Sequence, residues 1–105
     1  MTRRGRKVDL QAIIAEATVD SYNEDEARTN FATAICDELP VPFKARVLGD
    51  EVEVTGLTIS AEGLVEAIIP RGRKDHRVAL LSLEVPRDTP KVEWLEAYRK
   101  FLRSQ

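Results

Sequence analysis

The chain has 105 residues, 43% of them hydrophobic and 32% charged, which fits one globular domain and excludes a disordered chain. A single cysteine, Cys36, excludes an internal disulfide, and one histidine with one cysteine cannot build a zinc site alone. The net charge of −2 hides an asymmetry: Arg3, Arg4, Arg6 and Lys7 make the start basic, residues 20–38 carry six acids against Arg28, and residues 71–77 carry four bases against Asp75.

Residues 1–8 read as a basic flexible tail with no apolar stretch after it, so neither a signal peptide nor a membrane span is expected and the cytoplasm is the expected compartment. Residues 9–105 then form one α+β domain. A first helix is predicted over residues 9–21, with Asp9 as N-cap and Leu10, Ile13, Ile14 and Ala17 as its apolar stripe. Asn23 and Glu26 have the spacing of a capping box, so a second helix starts there. It buries Ala27, Phe31, Ala34, Ile35 and Leu39 and stops before Pro40 and Pro42.

From Phe43 the period changes to that of strands. Strands are expected over residues 43–48, from Glu51 to Thr55, over 64–69 and over 76–83, with a short fifth at Glu84 and Val85. Gly49-Asp50 is the expected tight turn between the first two, and residues 70–75 make a polar turn between the third and fourth. Short strands joined by tight turns predict a small SH3-like antiparallel β-barrel, with two helices before it and one after. The last helix is expected to start at Thr89-Pro90, with Val92, Leu95, Tyr98, Phe101 and Leu102 on its apolar face.

No phosphate loop, dinucleotide fingerprint, paired CxxC or EF-hand loop occurs, and the chain is not expected to be an enzyme. Cys36 and His76 could form a nucleophile–base pair, but a packed helical thiol and a solvated strand-end imidazole are the plainer reading. The acids fall in three groups. Glu24, Asp25 and Glu26 sit at a helix N-terminus, where the dipole already favours them. Asp37 and Glu38 sit at a helix C-terminus, against the dipole, and such a pair asks for a cation: a lysine, an arginine or a metal. Asp50, Glu51 and Glu53 come from the hairpin, with Glu51 and Glu53 on one strand face.

Three runs carry a resemblance: I-A-E-A-T-V-D-S-Y-N-E-D-E (residues 14–26), D-E-L-P-V-P-F-K-A (37–45) and G-D-E-V-E-V-T-G-L (49–57). With the strands V-E-A-I-I and R-V-A-L-L-S-L and the closing aromatic helix, residues 10–102 resemble the cyanobacterial calcium-binding protein family (CcbP-like). The resemblance implies a small acidic protein that binds calcium without an EF-hand, as buffer or sensor. It implies an acidic metal site near Asp37 with acids of the adjacent strand or loop, carried over residue by residue to Asp37 and to Asp50-Glu51; with their neighbours Glu38 and Glu53 these are the candidate metal ligands. The chain departs from the family at Ser60-Ala61-Glu62, where a denser acidic cluster is expected, and at Thr29-Asn30-Phe31, which replaces a Gly-aromatic run.

A rival reading rests on the basic hairpin tip. Arg71, Arg73, Lys74 and Arg77 make it a non-enzymatic interaction module for a protein partner or for nucleic acid. The tip has no interleaved aromatic for base stacking, and a charged tip also serves solubility.

Overall fold

Helix formation begins at Asp9. In the computed structural model, which describes residues 9–105, the Asp9 carboxylate accepts hydrogen bonds from the Gln11 and Ala12 amides at 3.0 and 3.3 Å and starts α1 (Leu10–Ala17). The expected tail, residues 1–8, lies outside the described residues. Helix α1 ends earlier than predicted. The Thr18 hydroxyl donates to the Ile14 carbonyl at 2.8 Å, and this side-chain bond occupies the carbonyl as the helix unwinds. Helix α2 (Glu24–Glu38) starts at the predicted cap, where Asn23 Oδ1 accepts from the Glu26 amide at 2.8 Å. The reciprocal bond reaches one residue further back than in a capping box: Glu26 Oε1 accepts from the Tyr22 amide at 2.8 Å.

Five antiparallel strands follow: β1 (Phe43–Val47), β2 (Asp50–Val54), β3 (Gly56–Ile59), β4 (Val65–Arg71) and β5 (Lys74–Ala79). In the first hairpin Phe43 faces Val54 and Val47 faces Asp50. Its turn is therefore Leu48-Gly49, one residue earlier than predicted, and Asp50 belongs to the strand. Both turn residues have positive φ, 52° and 85°, which matches the right-handed twist of the flanking strands. For Leu48 this conformation costs about 1–2 kcal/mol. The second turn is also tighter than predicted: Pro70 and Arg71 stay in β4, opposite Asp75 and Lys74. Strand β5 is correspondingly early, and residues Leu80–Ser82 coil into a 3₁₀ turn instead of extending it. The predicted fifth strand reduces to one antiparallel bridge, Glu84 to Arg46, with bonds of 2.8 and 2.9 Å. Helix α3 (Val92–Arg103) starts later than Thr89-Pro90, because Lys91 adopts a left-handed φ of 66°.

The fold is α+β, with three helices and two hydrogen-bonded sheets, β1-β2 and β3-β4-β5. The sheets meet at two joints. Thr55, between β2 and β3, donates its amide to the Ile68 carbonyl at 2.9 Å, and the Arg46–Glu84 bridge ties β1 to the segment after β5. The helices cover one side. The Phe31 ring of α2 lies 5.3 Å from the Tyr98 ring and 5.2 Å from the Phe101 ring, both on α3. The Tyr98 hydroxyl accepts a hydrogen bond from the buried Val65 amide at 3.2 Å, fixing α3 against the start of β4.

Tyr98→Phe keeps the ring but leaves the Val65 amide unpaired, and should cost about 1–3 kcal/mol in urea denaturation. Phe31→Ala should cost about 3–5 kcal/mol by opening a cavity under both rings. A Tyr98→Phe variant as stable as the parent would show that the bond contributes nothing.

Candidate functional site

The hairpin pleat decides where its acids point. Along β2, Val52 and Val54 turn inward, so Asp50 lies on their side while Glu51 and Glu53 lie on the outer face. On that outer face Glu51 stands opposite Arg46, and Glu53 opposite Lys44. Asp37 and Glu38 occupy the last turn of α2, and Glu38 Oε1 lies 3.2 Å from the Lys91 ammonium. The cation that this helix end asks for is thus present, carried by the residue before α3. The five acids divide into Asp37 and Glu38 on the helix end, Glu51 and Glu53 beside two bases, and Asp50 on the opposite face of the hairpin. Among the described residues, no group of three or more His, Cys, Asp or Glu side chains converges in a way that could hold a metal ion. Of the acids at the start of α2, Asp25 pairs with Arg28 at 2.6 Å and Glu26 accepts from the Tyr22 amide.

The basic tip is divided by the same rule. Arg71 and Lys74 pair across the strands on the inward-pointing side, in line with Ile69, His76 and Val78. Arg77 points to the other face and Arg73 sits at the turn beside Gly72. Between this tip and the first hairpin lies a groove of about 250 Å³. Val52, Ile69 and Val78 line it, with Arg71 and His76 on one rim and Leu48 on the other. The sequence reading singled out the cations but not the groove. Its one sequence signal was Leu48, an aliphatic residue beside the glycine of a tight turn, where Asn or Asp is usual.

Cys36 and His76 stand on α2 and β5. Burial raises the Cys36 thiol above its ordinary value, and the Asp37 charge raises it further. A catalytic thiol needs the reverse. Burial also raises the Tyr98 hydroxyl, against a smaller lowering by the Val65 amide. No helix among the described residues is long and apolar enough to cross a membrane.

No family model matches the chain, and no curated protein matches its sequence. Among solved structures, the crystal structure of Anabaena CcbP is similar over 95% of this chain and 93% of that one, with a TM-score of 0.68. Sequence identity is 18%, so the likeness is one of fold. The CcbP-like resemblance read from the sequence is borne out at that level.

Cys36 and Tyr98 both favour the neutral form in the folded state. Their contribution is fully present below the ordinary values of 9.0 and 10.0 and is lost as pH rises through the raised folded values. The urea midpoint should therefore fall above pH 9, and Cys36→Ala should flatten the first part of that fall. An unchanged profile in Cys36→Ala would show that the thiol is not responsible.

Proposed function

We propose that this chain is a non-enzymatic calcium-binding protein without an EF-hand, acting as a buffer or sensor, and that its two sheets are the halves of an SH3-like barrel. The observation that carries the reading is the fold shared with CcbP along nearly the whole chain. The D-E-L-P-V-P-F-K-A and G-D-E-V-E-V-T-G-L runs support it, because they place acids at corresponding points of the resembling family's pattern.

Calcium takes six to eight oxygens. In this reading Asp37 and Glu38 supply the first carboxylates. Asp50, Glu51 and Glu53, to which the resemblance also points, stand on two faces of the hairpin and do not converge with them, so water supplies most of the remaining ligands. Asp37 is exposed and makes no salt bridge among the described residues. Glu38 is different, since Lys91 already neutralises it and competes with any metal. Few carboxylates and one internal competitor place the affinity at the weak end of protein calcium sites, about 10⁻⁴–10⁻³ M. A buffer of bulk calcium works in that range.

Calorimetric titration with calcium should give saturable heat. Asp37→Asn should abolish it, and Lys91→Met should tighten binding several-fold by freeing Glu38. Neither heat nor a thermal shift at about tenfold above that range would overturn the reading. So would binding that Asp37→Asn leaves intact.

A further inference from the structure

Among the described residues, two surfaces of this chain stand exposed, and they complement one another. The first is the groove between the hairpins. Its floor is aliphatic, and Arg71 and His76 line one side, with Lys74 opposite Arg71 on the same strand face and Asp50 on the inward face of the facing hairpin. Leu48 stands at its edge, 98% exposed and with positive φ. The fold alone gives no reason for leucine there, since asparagine or glycine would make the same turn without the strain. Strain of this kind gathers at functional sites.

The second surface is the connection from α1 into α2. Val19 is 75% exposed and Tyr22 is 92% exposed, among the acids Asp20, Glu24 and Asp25. The segment is nonetheless held in place. Glu26 accepts from the Tyr22 amide at 2.8 Å, and Asn30 Nδ2 donates to the Ser21 hydroxyl at 2.9 Å. A phenol presented to solvent from a pinned backbone loses little freedom when it is buried, which is how aromatic anchors act in interfaces.

We propose that the groove receives the acidic connection, residues 19–26, of a second copy of this chain. Tyr22 enters beside Leu48 and the aliphatic floor. Asp20 and Glu24 meet Arg71 and Lys74. The two patches lie on different elements, so the contact is heterologous: a pair retains one free groove on one molecule and one free segment on the other, and association continues head to tail or closes into a ring. Charges exposed at the rims make it sensitive to salt.

Sedimentation of the full chain tests this. At low salt the weight-average mass should rise above that of the monomer with concentration, and at about 0.5 M salt it should return to the monomer value. Arg71→Ala/Lys74→Ala and Tyr22→Ala/Glu24→Ala should each be monomeric at low salt, with unchanged circular dichroism. Mixed in equal amounts, they should form a 1:1 complex that does not grow, because only one intact groove meets one intact segment. A parent chain monomeric at every concentration overturns the proposal, as does association that survives in either variant. If the parent is monomeric but its groove takes up a synthetic acidic peptide or an oligonucleotide, the occupant is not a second copy, and the proposal is overturned as well.

Discussion

The hydroxyl of Tyr98 holds the layers of this protein together. It accepts from the Val65 amide where β4 begins, while its ring packs on Phe31 of α2. One side chain thereby fixes the last helix to both the second helix and the central strand of the larger sheet. The Val65 amide is buried and would otherwise lack a partner, so the bond is a requirement of burying that strand start and not an ornament upon it. The larger sheet is held to the helices at this anchor.

The pleat then distributes charge. Because β2 alternates inward valines with outward glutamates, its acids cannot gather on one face, and the register sets Glu51 and Glu53 against Arg46 and Lys44. The same alternation divides the basic tip, sending Arg71 and Lys74 toward an apolar groove and Arg77 away from it. A strand thus converts a run of like charges into two half-runs with different neighbours. For a chain similar in fold to CcbP, this means that the number of acids in the sequence says less than the face on which each one stands.

Much of this was legible in the sequence. Asp9 and Asn23 announced the two helix starts, the change of period at Phe43 announced the strands, and the aromatic spacing announced α3. The misses have local causes. Thr18 leaves the helical conformation at the end of α1 with both its amide and its hydroxyl on the Ile14 carbonyl, which no apolar pattern reveals, and Lys91 delays α3 by taking a conformation that lysine rarely adopts. The first turn was placed one residue late. Glu51 and Glu53 share one strand face as the alternation implied, but Asp50, expected in the turn, belongs to the strand and takes the other face. The ion pair of Glu38 with Lys91 was half legible: the helix dipole called for a cation, but Lys91 is 53 positions away in sequence.

Among the described residues, the two-stranded hairpin is tied to the rest of the β-structure by backbone hydrogen bonds at two places, through Thr55 to Ile68 of the larger sheet and through Arg46 to Glu84 in the segment after it. Between those places it meets the larger sheet through side chains, with Val52 and Ile69 both lining the groove. The walls of the groove therefore belong to two separately hydrogen-bonded sheets, and its width follows from side-chain packing between them, not from a continuous backbone ladder.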